Sequence, residues 1–179
     1  MQRTFKFPLT LSNGEYLFVK ALSPSVAHYQ HCSAPYRNLA AKFEPESLKD
    51  ANLYLEIVWL KRYSEVLKHV PRFESYGEQD GRRYMLSQYI EMSLETFIAV
   101  KTSDLEESKR WELVESLAPQ MLESLYEIHM SGYIHGDVSP KNFRADRDGK
   151  VYIIDFQLTK EFVTPSGLHI LEEEAKPLG

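Results

Sequence analysis

The chain has 179 residues, 43% of them hydrophobic and 26% charged, with a net charge of −5. That is the composition of one soluble globular domain with room for two lobes. No Lys/Arg run exceeds two residues, so the dense basic patch of a nucleic-acid binder is absent. No apolar run approaches the ~20 residues that span a bilayer, and MQRTFKFPLT lacks a signal-peptide hydrophobic region. Neither nucleic acid nor a membrane is therefore an expected partner, and a cytoplasmic location is expected. Cys32 is the only cysteine, which excludes an intrachain disulfide and fits a reducing compartment. With His28 and His31 nearby it still lacks a fourth ligand for zinc.

Residues 3–11 (RTFKFPLTL) alternate apolar and polar and predict a strand. SNG at 12–14 is a turn signal, and EYLFVKAL at 15–22 predicts a second strand. Residues 23–46, with Pro24, Pro35 and Pro45, predict an irregular insertion that could hold one short helix. A long helix is predicted over 46–68, because Leu53, Ile57, Leu60, Tyr63 (or Ser64) and Leu67 form one apolar stripe. Pro71 ends it; RFESYG at 72–77 and RRYMLSQYIE at 82–91 predict strands around a turn at 78–81.

The second half is more helical. A short helix is predicted over 93–101 and a longer one over 108–130, with Trp111, Val114, Leu117, Met121, Leu125 and Ile128 on one stripe. Pro119 should kink or loosen that helix, and Gly132 should stop it. YIHGDVSPKNF (133–143), a turn at 146–149 and the strand KVYIIDF (150–156) follow. The acidic tail, with Glu172, Glu173 and Glu174, reads as a solvated end.

Asp137 and Asp155 are both flanked by apolar residues, and a carboxylate in such a place needs a partner. Together with the Asn142 amide oxygen they make a hard-oxygen set that suits Mg²⁺, which binds through one or two carboxylates and substrate phosphates. The alternative for Asp137 and Asn142 is a capped polar turn, and for Asp155 a strand-end turn.

At these residues the chain resembles the protein-kinase-like superfamily, in wording closest to small fungal-type kinase-like proteins. His135-Gly136-Asp137 with Asn142, then Asp155-Phe156-Gln157, resemble that family's H-R-D-x-x-x-x-N and D-F-G. Phe18-Val19-Lys20-Ala21 looks like the strand bearing the phosphate-binding lysine. Glu56 is then its candidate ion-pair partner, with Glu65 as a competitor. YMLSQYIE looks like the strand entering the hinge, with Ser87 near the gatekeeper position.

The resemblance implies ATP and Mg²⁺ as cofactors. Asp137 would orient or accept the proton of the attacking hydroxyl, and Lys141 would approach the γ-phosphate in place of a lysine at position 139. Asn142 and Asp155 would hold the metal. Lys20, Glu56, Gln88 and Ile90 would hold the nucleotide. His135 is expected to pack under the loop and do no acid–base work. The implied fold is α+β and protein-kinase-like: a small antiparallel sheet with one long helix over residues 1–91, and a reduced helical lobe over 92–179. ATP would lie between them, near 88–91.

The sequence departs from the family pattern in four places. There is no G-x-G-x-x-G, and the first strand with its glycine-rich loop is expected to be missing. Gly136 stands where the family has arginine, wording shared with choline and aminoglycoside phosphotransferases. Gln157 stands where the family has glycine. Only 23 residues follow Phe156, so the apolar face of helix 108–130 is expected to need cover from the insertion, the tail, a protein partner or self-association. The expected function is Mg·ATP-dependent phosphotransfer to a hydroxyl, with Ser/Thr of a protein favoured. The alternatives are a pseudokinase module that binds protein and a small-molecule kinase.

Overall fold

The structure is a computed structural model and describes residues 16–23, 25–31, 38–44, 53–79 and 81–163. The strand expected at 3–11, Cys32 and the acidic tail lie outside the described residues. The first described elements are strands β1 (Tyr16–Ser23), β2 (Val26–His31) and β3 (Asn38–Phe43), followed by helix α1 (Leu53–Tyr63). Strands β4 (Phe73–Gln79) and β5 (Arg82–Gln88) complete an antiparallel sheet in the order β1-β2-β3-β5-β4.

Two described strands therefore precede β3, and within the segment expected to be an irregular insertion Val26–His31 and Asn38–Phe43 are sheet. The cause is a period-two pattern that the prolines of 23–46 obscured. Leu39, Ala41 and Phe43 alternate along β3 and join Ala27, Tyr29 and Leu86 in one buried cluster. The intervening Ala40 and Lys42 face the opposite side of the sheet. The expectation of a missing first strand is thereby corrected, although the β1–β2 connection is Ser23-Pro24-Ser25 and contains no glycine.

Helix α1 buries Leu53, Glu56, Ile57, Trp59 and Leu60. It ends at Tyr63, earlier than the stripe predicts. Beyond it, the Lys68 and His69 N–H groups donate to Glu127 Oε2 at 3.0 and 3.2 Å, where a longer helix would spend them internally.

Then come β6 (Met92–Ser93), α2 (Leu94–Thr102) and α3 (Glu107–Met130). Ser93 caps α2 by accepting the Thr96 N–H. Helix α3 runs unbroken through Pro119, and Gly132 beyond its end has φ 88°. Strands β7 (Tyr133–Ile134), β8 (Phe143–Ala145), β9 (Val151–Ile153) and β10 (Lys160–Glu161) follow; β6-β8-β9 and β7-β10 form two small sheets.

One buried cluster joins both halves: Leu60 and Trp59 of α1, Met85 of β5, Leu117 and Ile128 of α3, and Phe143, Ile153 and Phe156. On α3 the predicted stripe is only partly covered, and Trp111 is 60% exposed. A second stripe of Leu122, Tyr126 and Met130 faces solvent. No helix among the described residues is long and apolar enough to cross a membrane.

Candidate active site

A cleft opens between the five-stranded sheet and β8–β9. Leu22, Val26 and Ala40 line one side; Arg144, Ile154 and Asp155 line the other; Ser87, Gln88, Tyr89 and Ile90 form its back edge.

Lys42 lines this cleft. Its Nζ lies 2.7 Å from Glu56 Oε2 and 2.8 Å from Asp155 Oδ1. Burial alone would pull the ammonium down, but the two carboxylates beside it outweigh that and hold it above the ordinary lysine range. Glu56 is 3% exposed; burial pushes its carboxyl up, and Lys42 partly offsets this. Its Oε1 accepts the Phe156 N–H at 3.3 Å. Glu56 thus ties α1 to the sheet and to the turn after β9.

The ion pair expected for Lys20 is formed by Lys42. Lys20 is exposed on β1, opposite His28 of β2, and two strands separate it from β5. Glu65, the competitor for the pair, is exposed beyond the end of α1. The local wording Val19-Lys20-Ala21 and Ala41-Lys42-Phe43 is similar. The signal that could have chosen Lys42 is the clean alternation of Leu39, Ala41 and Phe43 around it.

Asp155 has φ 71°, the only non-glycine with positive φ among the described residues. Such backbone strain persists where the surroundings over-determine it. Here Lys42 holds its side chain, and Phe156 is stacked on Trp59 with centroids 4.2 Å apart and 13° between planes. Trp59 was not singled out by the sequence reading. It occupies the buried side of α1, one turn beyond Glu56.

The loop after β7 gathers the second group. Asn142 is buried, and its Nδ2 donates to the Asp137 backbone oxygen at 2.8 Å and to Asp137 Oδ2 at 2.9 Å. Lys141 Nζ lies 3.3 Å from the same Oδ2. The Asn142 hydrogen bond, reinforced by Lys141, holds the Asp137 carboxyl below the ordinary aspartate range. Ile154 N–H donates to the Asn142 carbonyl at 2.9 Å, linking this loop to the Asp155 turn.

His135 supports the loop from below. It is 1% exposed, with Nε2 3.0 Å from the Ile154 carbonyl and Nδ1 accepting the Asp137 N–H at 3.3 Å. Those partners require the neutral ring protonated at Nε2. Burial holds its pKa below the ordinary histidine value. Gly136 has φ 80°, and a Cβ there would stand 2.2 Å from the Leu158 carbonyl oxygen. A glycine is needed at this point for conformational reasons. Ser139 Oγ is buried without a hydrogen-bond partner.

The donor set fits a hard cation. The Asn142 amino group is spent on Asp137, which leaves its oxygen for a ligand, and Lys42 engages one oxygen of Asp155. The described residues contain no group of three or more His, Cys, Asp or Glu able to hold a metal. Two protein oxygens with the remainder from phosphate and water is the usual arrangement for Mg²⁺.

Arg144, also outside the sequence reading, lies at the hinge. Its Nε donates to the Ile90 carbonyl at 2.9 Å and its Nη2 to the Glu91 carbonyl at 3.3 Å. Arg147 Nε and Nη2 bind the Glu91 carboxylate at 2.6 and 3.2 Å.

A family model described as protein kinase domain matches residues 37–173. The chain is similar to a probable serine/threonine-protein kinase of Dictyostelium discoideum, 31% identical over 133 residues, which are 72% of this chain and 26% of that protein. It is similar to serine/threonine-protein kinase F of Synechocystis sp., 32% identical over 123 residues, covering 66% of this chain and 23% of that protein. It is also similar to a putative casein kinase I of Caenorhabditis elegans, 33% identical over 106 residues, covering 57% of this chain and 30% of that protein. The chain thus spans between 23% and 30% of the length of these relatives.

Proposed function

The chain belongs to the protein kinase domain family, and on that footing we propose that it binds Mg·ATP in the cleft and transfers the γ-phosphate to a hydroxyl. The observation that carries this reading is Lys42, held between Glu56 and Asp155 at 2.7 and 2.8 Å, with the Asp137–Asn142 pair tied to the same turn through the Ile154 N–H. In this reading residues 1–91 and 92–179 are the two lobes, and the backbone at Gln88 and Ile90 meets the base.

Each residue has a distinct part. Lys42 grips the phosphates, and Glu56 keeps it extended into the cleft. Asn142 and Asp155 hold Mg²⁺, which when bound neutralises charge on the phosphates. Asp137 positions the acceptor hydroxyl. Its lowered pKa makes it a weak base, so orientation is its larger contribution. Lys141 adds positive charge beside Asp137.

A serine or threonine of a protein is the favoured acceptor, because similar proteins are named as serine/threonine or casein kinases. Gly136 carries no weight for a small-molecule acceptor, since the Leu158 carbonyl already requires a glycine there. One observation favours a second reading, a pseudokinase that binds protein: the β1–β2 connection Ser23-Pro24-Ser25 has no glycine to bring backbone N–H groups onto phosphates.

Thermal melting with and without Mg·ATP tests the nucleotide site. Ligand at 100 times its Kd stabilises by about 2.7 kcal/mol, so wild type should shift upward and Asp155→Asn should not. A shift without phosphate transfer to any protein acceptor would favour the second reading. No shift in wild type would remove the basis of the first.

A further inference from the structure

We propose that Arg144 sets the base preference of the cleft by occupying hinge carbonyls that a purine with a 2-amino group would need. This rests on the nucleotide reading above and adds a specificity-determining residue to it. On the sheet side the cleft is walled by apolar Leu22, Val26 and Ala40, which offer a base packing but no hydrogen bonds. Polar recognition must therefore come from the rest of the lining, where the backbone from Gln88 to Ile90 forms the back edge. There the Ile90 carbonyl already accepts Arg144 Nε at 2.9 Å, and the Glu91 carbonyl accepts Nη2 at 3.3 Å.

The guanidinium is well anchored. Arg144 stands on β8, whose pairing with β6 sets Arg144 opposite Ser93 and so brings it against the hinge. Arg147 grips the side chain of the same Glu91 at 2.6 Å. A carbonyl keeps a second lone pair, but a donor approaching it here meets a fixed cation and its N–H groups. A ligand N–H aimed at this part of the hinge is left unpaired or must displace Arg144. Guanine carries a 2-amino donor that adenine lacks. An unmet donor of this kind amounts to roughly tenfold or more in Kd.

Calorimetric titration of the whole chain with Mg·ATP, Mg·2-amino-ATP and Mg·GTP tests the assignment; the first two differ by a single donor. Wild type should bind ATP about tenfold tighter than 2-amino-ATP, and Arg144→Leu should narrow that ratio to about threefold or less. GTP should gain on ATP in the same variant. A ratio unchanged by Arg144→Leu while ATP still binds would overturn the proposal, as would equal wild-type affinities for ATP and 2-amino-ATP. Should Arg144→Leu show no cooperative melt, Arg144→Lys carries the test, because lysine cannot fork across two carbonyls; an unchanged ratio there has the same consequence. Absence of any wild-type binding to ATP would overturn the nucleotide reading itself, and this assignment with it.

Discussion

Lys42 stands between two carboxylates, one of them buried, and that arrangement makes its loss costly in two ways. Lys42→Met leaves Glu56 buried without its cation, which should cost about 3 kcal/mol. Adding Glu56→Gln should recover part of that, measured by urea denaturation. The Mg·ATP shift should vanish in both. Lys20→Met, at an exposed position, should change stability by no more than about 0.5 kcal/mol and keep the shift. His135 gives a pH signature. Its folded pKa lies below the ordinary histidine value of about 6.5. As pH falls from that value toward the lower folded pKa, the unfolded chain binds a proton that the folded chain does not. Stability is therefore constant above the ordinary value and declines on acidification through that window. The melting temperature of His135→Gln should lack that decline. A wild-type curve as flat as the variant's would show that His135 accepts a proton without loss of its two hydrogen bonds.

At the scale of elements, α1 and the turn after β9 hold each other. Glu56 supplies the charged contact and Trp59 the aromatic one, stacked on Phe156 at 4.2 Å. Trp59→Ala should cost about 3–5 kcal/mol through the cavity it leaves. It should also weaken the Mg·ATP shift beyond what lost stability explains, because the strained φ of Asp155 is no longer over-determined. Calorimetric Kd measured well below the melting temperature separates the two effects. Both elements were legible as elements: the spacing of Leu53, Ile57 and Leu60 is helical, and Val151, Tyr152 and Ile153 are β-branched or aromatic. Their contact was not legible, because Trp59 and Phe156 are 97 positions apart and neither carries a local signal. The end of α1 was misread for a related reason. Glu127, on α3, takes the N–H groups that would have extended the helix.

At the scale of the molecule, α3 buries Leu117, Ser124 and Ile128, while Leu122 and Met130 are each 68% exposed and Tyr126 is 62% exposed. These three lie one turn apart and form a continuous apolar stripe. Self-association at high protein concentration is the expected consequence. Leu122→Glu with Met130→Glu should reduce the sedimentation-derived mass at high concentration and leave the Mg·ATP shift intact, since neither residue lines the cleft.

The sequence by itself determined the loop after β7 and the turn after β9. His135, Gly136, Asp137, Asn142, Asp155 and Phe156 are close in the chain and sit at fixed spacings, so turn geometry alone brings most of them together. It also determined most helices and strands, because hydrophobic period is a local property. The tertiary structure decided which lysine enters the cleft. Lys20 and Lys42 both sit on strands among small and apolar neighbours, and only the pairing of β3 with β5 sets Lys42 opposite Met85 and so above the cleft. A one-residue slip in that register would turn Lys42 to the other face. It likewise decided the placement of Arg144, whose partners at Ile90 and Glu91 lie 54 and 53 positions away. Sheet register and long-range hydrogen bonds depend on the whole folded chain, and no short stretch of sequence contains them.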